Sequence, residues 1–213
     1  MLPDGSSSEL PQRATTPSVR SATHDRVGEG AGLWQQGWYR YARALASPNF
    51  GSRPATAVTD LIVIHSISLP PGEFGNQQVQ QLFTNQLDWD AHPYFQTLRG
   101  LQVSSHFFVA RSGALWQFVS CDDRAWHAGE SSYRGRSNCG IELEGLEGGL
   151  FEAAQYETLS SVCAALLLHY PITHLTGHQH IAPGRKQDPG SGFNWSGLQA
   201  SLGLPAKCFP VIV

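Results

Sequence analysis

Leu61-Ile62-Val63-Ile64-His65 decides the fold class: it is a short apolar run, rich in β-branched residues, that ends on a histidine. Such a run predicts a central strand buried in a sheet. An imidazole that closes it needs a hydrogen-bond partner or a cavity. The end of a strand is also where α/β folds place their chemistry. Upstream, residues 49–57 carry the Gly, Pro and Ser of a connecting loop, and residues 33–46 are aromatic and helix-compatible. Residues 1–32 are rich in Ser, Gly, Pro and Thr and have no apolar core of a secretory signal, so a disordered N-terminal tail is expected there.

Downstream, Leu69-Pro70-Pro71-Gly72 breaks the pattern, a short helix is expected over 76–85, and 88–101 lacks a period and reads as loop. Residues 105–110 and 114–119, joined by the turn Arg111-Ser112-Gly113, read as a β-hairpin. Ile141-Glu142-Leu143-Glu144 alternates apolar and acidic, as a half-buried strand does, with both carboxylates on one face. The strongest helix covers 151–170, where Tyr156, Leu159, Val162, Cys163, Leu166, Leu167 and Tyr170 recur at helical spacing until Pro171 stops it. Residues 172–177 form a short strand delivering His178, 193–202 a closing helix, and 205–213 an apolar tail with no assigned place.

With 213 residues the chain is long enough for one well-buried core, and no repeat or linker divides 34–204. A net charge of −3 gives no reason to expect nucleic acid. No run approaches the ~18 apolar residues of a membrane span. Cys121, Cys139, Cys163 and Cys208 show no C-x-x-C spacing, so free thiols in a reducing cytosol are the expectation.

The chemistry concentrates in Thr176-Gly177-His178-Gln179-His180-Ile181-Ala182-Pro183-Gly184-Arg185-Lys186-Gln187-Asp188-Pro189-Gly190. Pro189 biases Asp188 toward an extended conformation, which puts Lys186 and Asp188 on one face. Histidine, carboxylate and lysine on one loop suit a metal ion with a cation beside it. A three-ligand set from separate segments that leaves a fourth position for water is what a catalytic zinc requires, and His65, ending a buried strand, is a candidate for it. Spacing alone leaves several points open: Asp188 also fits a turn residue capping Gly190, and Lys186 a surface charge. His178 and His180 form an H-x-H pair, either member of which suits a ligand. Glu142 and Glu144 fit either the solvated face of a strand or a general base beside the metal. The remaining histidines carry no such pattern, and His24 and His169 read as surface residues.

Taken together, several motifs decide between these readings. They are Gly37-Trp38, Ser47-Pro48-Asn49, the run Val63-Ile64-His65-Ser66-Ile67-Ser68-Leu69-Pro70-Pro71-Gly72-Glu73-Phe74-Gly75, Ala91-His92-Pro93-Tyr94-Phe95, Arg124-Ala125-Trp126-His127-Ala128-Gly129, Gly140-Ile141-Glu142-Leu143-Glu144-Gly145, and the stretch 176–190. In this order they resemble the cytoplasmic AmpD family, 1,6-anhydro-N-acetylmuramyl-L-alanine amidases of the zinc-dependent type 2 amidase and peptidoglycan-recognition superfamily. The resemblance implies a mixed α/β fold, with a central mixed β-sheet flanked by helices and a zinc cleft on one side. It implies one zinc amidase domain over 33–204, with 205–213 as a C-terminal tail. His65, His178 and Asp188 match its zinc ligands, Glu142 its acid/base and Lys186 its oxyanion-stabilising lysine. Ser66, Trp126, Arg136 and Ala182 fall at substrate-contacting positions. The reaction implied is hydrolysis of the lactyl–L-alanine amide of anhydromuropeptides by a cytoplasmic monomer, without nucleic acid or membrane as partner.

The chain departs from the family pattern in three places. Ser66 stands where the family usually has Asn, and Gln102 where it often has Arg. Arg134-Gly135-Arg136-Ser137-Asn138-Cys139 runs almost directly into Gly140-Ile141-Glu142, where the family usually carries several more residues. Two other functions share the fold. An amidase for intact peptidoglycan would normally be exported, and a muropeptide-binding module would lack a zinc ligand.

Overall fold

The computed structural model describes residues 32–128 and 137–210. Its main sheet has six strands in the order β10 (His174–Gly177), β5 (Thr59–Ile67), β9 (Ser137–Glu144), β6 (Phe107–Val109), β7 (Leu115–Gln117) and β3 (Arg43–Ala44). All neighbouring pairs are parallel except the hairpin β6–β7, so the sheet is mixed. The apolar run is the interior of β5, with Leu61, Ile62, Val63 and Ile64 at most 1 % exposed. That burial on both faces is why the run shows no alternation.

Successive side chains of β5 and β9 enter different layers. Ile62, Ile64, Cys139, Ile141 and Leu143 pack in one cluster with Leu159, Val162, Cys163 and Leu166 of α3 (Ala153–His169) and Leu198 of α5 (Trp195–Leu202). A second cluster holds Val79, Leu82 and Phe83 of α1 (Gln78–Phe83), Phe95 of α2 (Pro93–Gln96), and Phe108, Phe118 and Ala125. At the start of α3, Gln155 accepts from the Glu152 N–H at 3.0 Å. Its amide also donates to the carbonyls of Val109 and Glu144, at 3.2 and 3.0 Å, which ties the helix to β6 and β9.

Three local expectations change. Residues 33–46 are not helical. They form the small hairpin β1 (Trp34–Gln35) and β2 (Trp38–Tyr39), followed by β3. The turn has φ of 50° at Gln36 and 73° at Gly37, and a Cβ on Gly37 would lie 2.2 Å from Ser120 Oγ. Aromatic spacing fits helix and hairpin alike; the left-handed turn, backed by this close approach, selects the hairpin. Within 88–101 the single turn α2 forms because Pro93 opens it and His92 Nδ1 accepts from the Tyr94 N–H. Finally, β9 is longer than Ile141-Glu142-Leu143-Glu144 and lies between β5 and β6, so it is not half-buried. Glu142 and Glu144 are only 8 % and 2 % exposed.

The expected hairpin at 105–119 and the helices at 76–85, 151–170 and 193–202 are present with trimmed ends. Beyond α5, a short 3-10 turn at Ala206–Cys208 brings Phe209 into the main core. All four cysteines are free thiols, with the sulfurs of Cys121 and Cys139 3.3 Å apart. Among the described residues no helix is long and apolar enough to cross a membrane.

Replacing Gln155 with Leu strands two buried carbonyls. Its cost should be roughly 2–4 kcal/mol of unfolding free energy, seen as a lower urea midpoint at unchanged slope.

Candidate metal centre

Three segments bring the donors together. His65 lies near the end of β5. Gly177 of β10 pairs with Ile64, so His178, the first residue of the short helix α4 (His178–Ile181), arrives beside it. Asp188 follows the turn after α4, and its carbonyl accepts from the Gln179 N–H at 2.9 Å. His65 Nδ1, His178 Nδ1 and Asp188 Oδ2 form a triangle with sides of 3.0–3.1 Å. All three residues are buried.

Electrostatics favours a cation at the centre of this triangle. Burial works against the Asp188 charge, yet the close contacts with His178 and His65 outweigh it and hold the carboxyl well below the usual range. Burial lowers the pKa of His65, and repulsion from His178 adds to this against the opposing bond to Asp188. The triangle sets two imidazole nitrogens and one carboxylate oxygen within 3.1 Å of one another. Two nitrogens and one oxygen with a side left open are a donor set that fits catalytic zinc.

Glu142 pairs in register with His65 across the parallel strands, and its Oε1 is 3.9 Å from His65 Nδ1. Its Oε2 is buried without a hydrogen-bond partner among the described residues. Burial, and then the charge of Asp188, raise its pKa well above the ordinary carboxylate value, while Lys186 opposes them. Glu144 differs. Its Oε1 accepts from the Gly75 N–H at 2.5 Å and its Oε2 from the Arg111 N–H at 2.9 Å. Both oxygens of Glu144 are committed to loop backbone, whereas among the described residues Oε2 of Glu142 has no partner.

A cleft of about 420 Å³ opens beside the triangle, with Ser66, His127, Glu142, Glu147 and Lys186 among its lining residues. Ser66 Oγ is buried and also lacks a partner among the described residues. Lys186 is exposed on a turn whose backbone N–H groups, from Arg185 and Lys186, both donate to the Ala182 carbonyl at 3.1 Å. Ala182 itself is 2 % exposed and lies under that turn. Trp126 follows β8 (Arg124–Ala125), which pairs with β4 (Phe50–Gly51), and is 36 % exposed. Arg136 lies outside the described residues.

The H-x-H ambiguity resolves geometrically. His180 turns its Nδ1 to accept from the Gly177 N–H at 3.0 Å and sets its ring against Trp195. Its side chain thus closes the first turn of α4, and the metal cluster takes His178. Sequence reasoning gave no role to His127, although its Nδ1 is 2.8 Å from His65 Nε2. The signal available was its place within a quoted motif, not its spacing from other ligands.

Comparison with known proteins agrees with this geometry. The family model described as N-acetylmuramoyl-L-alanine amidase matches residues 54–191. The chain is 46% identical over 175 residues to the 1,6-anhydro-N-acetylmuramyl-L-alanine amidase AmpD of Citrobacter freundii, covering 79% of this chain and 94% of that protein. It is also 46% identical over 171 residues to the protein of the same name from Escherichia coli strain K12, covering 77% and 93%. A crystal structure of an AmpD derivative superposes with a TM-score of 0.77 at 45% identity, over 80% of this chain and 99% of that one.

His178→Ala should abolish stoichiometric zinc retention after dialysis, whereas His180→Ala should keep it while lowering thermal stability. Equal metal loss in both variants, measured by elemental analysis, would return His180 to the ligand set.

Proposed function

This chain belongs to the N-acetylmuramoyl-L-alanine amidase family, and we propose that it hydrolyses the lactyl–L-alanine amide of 1,6-anhydro-N-acetylmuramyl peptides. The observation that carries the reading is the buried, unpartnered Oε2 of Glu142 beside the donor triangle. An orphaned carboxylate oxygen at that place has no structural purpose, and a proton in transit gives it one. The narrower substrate follows from relatives of that name, which align over nearly their whole length.

His65, His178 and Asp188 would hold a zinc ion, which would supply Lewis acidity toward the amide carbonyl and a water molecule. Glu142 receives the proton of the attacking water on Oε2 and returns it to the alanine nitrogen as the C–N bond breaks. Its raised pKa makes it a stronger base than an exposed carboxylate and a competent acid afterwards. Lys186 places its charge at the cleft, where it offsets the negative charge building on the carbonyl oxygen. Ser66 Oγ offers an uncommitted hydrogen-bonding group to the substrate peptide, and Trp126 an exposed indole to the sugar. Arg136 and Ala182 complete the proposed substrate contacts. We place the reaction in the cytoplasm, in peptidoglycan recycling, and carried out by a monomer.

Incubation with an anhydromuropeptide, followed by mass spectrometry, tests the reaction. Free peptide should appear, stop with chelator and return with zinc. Intact substrate at full zinc loading would reject the proposed substrate, and comparable release from intact peptidoglycan would reject its narrowness. Glu142→Gln should retain zinc and fold while turnover falls roughly 10²–10⁴-fold; unimpaired turnover would assign the proton to another group.

A further inference from the structure

The ring of His127 lies against the backbone of β9 at Gly140. A Cβ on Gly140 would stand 2.7 Å from Cγ, Nδ1 and Cε1 of that ring, so glycine is what leaves it room. The ring then bridges two groups. His127 Nδ1 is 2.8 Å from His65 Nε2, and His127 Nε2 is 2.8 Å from Asn138 Oδ1. Asn138 in turn stands at the start of β9, where Arg53 donates to its backbone carbonyl at 2.8 Å and to the Ser137 hydroxyl.

The direction of these bonds can be followed atom by atom. Asn138 Oδ1 only accepts, so His127 Nε2 carries a hydrogen. A neutral His127 then has a bare Nδ1, and His65 Nε2 must donate to it. A neutral His65 that donates from Nε2 has a bare Nδ1, and this is the atom facing His178 Nδ1 and Asp188 Oδ2. Reversing the chain would put a hydrogen on His65 Nδ1, which would then donate to Asp188 Oδ2 3.0 Å away and be closed to a metal.

We propose that His127, seated over Gly140 and anchored by Asn138, is a positioning residue that fixes the tautomer and ring plane of His65 so that Nδ1 is presented to the metal. The inference rests on the zinc site and deepens it. A metal-bound histidine whose second nitrogen is held by a fixed partner loses less freedom on binding and keeps one ring orientation. Here the partner is another imidazole, and it comes from a loop separate from all three ligands. Its own anchor lies in the segment where the chain is shorter than the family pattern.

Histidine tautomers can be read directly by long-range ¹H–¹⁵N correlation on the zinc-loaded, ¹⁵N-histidine-labelled protein. Both His127 and His65 should carry hydrogen on Nε2 and none on Nδ1; a hydrogen on His127 Nδ1 overturns the proposal without any variant being made. Zinc affinity, by competition with a chromophoric chelator, supplies a second readout. Asn138→Leu removes the acceptor and should weaken binding about tenfold or more, while Asn138→Asp keeps an acceptor and should stay within a few-fold of the unaltered protein. Gly140→Ala, which displaces the ring, should weaken binding in the same direction. Equal affinities for the Leu and Asp variants would reduce Asn138 to packing and sink the inference. Failure of the unaltered protein to bind zinc would instead overturn the metal site beneath it.

Discussion

The side-by-side placement of His65 and Glu142 on two parallel, fully buried strands is the constraint from which the rest of the site follows. Parallel strands set neighbouring residues at a fixed lateral spacing, and burial on both faces leaves their backbones little freedom. His65 and Glu142 therefore take their separation from the sheet itself. The third strand of this group, β10, extends the arrangement by ending one residue short of His178. Asp188 and Lys186 depend on a loop, and that loop is closed by bonds to the Ala182 carbonyl and by the backbone link from Gln179 to Asp188.

A buried cluster of polar donors is costly unless its groups are satisfied. The chain meets that demand in two different ways. Glu144 is fully satisfied by the backbone of Gly75 and Arg111, and it secures the loop bordering the cleft. Glu142, two residues earlier on the same face, keeps one oxygen without a partner among the described residues. Identical side chains at adjacent positions of one face thus differ in function because only one has backbone N–H groups within reach.

Much of this was legible in the residues, and the limits have physical causes. β5 was clear because continuous burial leaves an unbroken apolar run, and α3 because one face of a long helix must repeat at its own period. The segment at 33–46 was misread because its aromatic spacing is compatible with two conformations, and the deciding φ values at Gln36 and Gly37 depend on contact with Ser120, far away in sequence. Glu142 and Glu144 looked like a wet strand face because alternation records polarity, and buried carboxylates are as polar as exposed ones. The metal ligands were within reach through motif resemblance, whereas choosing His178 over His180 by physics required the Gly177 bond and the Trp195 contact. Tertiary partners of this kind leave no local trace.

One consequence of β9 concerns how the gene can change. Its cleft-side positions, each two residues from the next, are Asn138 against the His127 ring, Gly140 beneath that ring, Glu142 beside His65 and Glu144 on the Gly75 backbone. Sliding the strand by one residue would substitute Cys139, Ile141 and Leu143 for these and disable every role together. A codon inserted or deleted inside the strand would therefore cost all four at once, because Arg53, holding Ser137 and Asn138, fixes where the register begins.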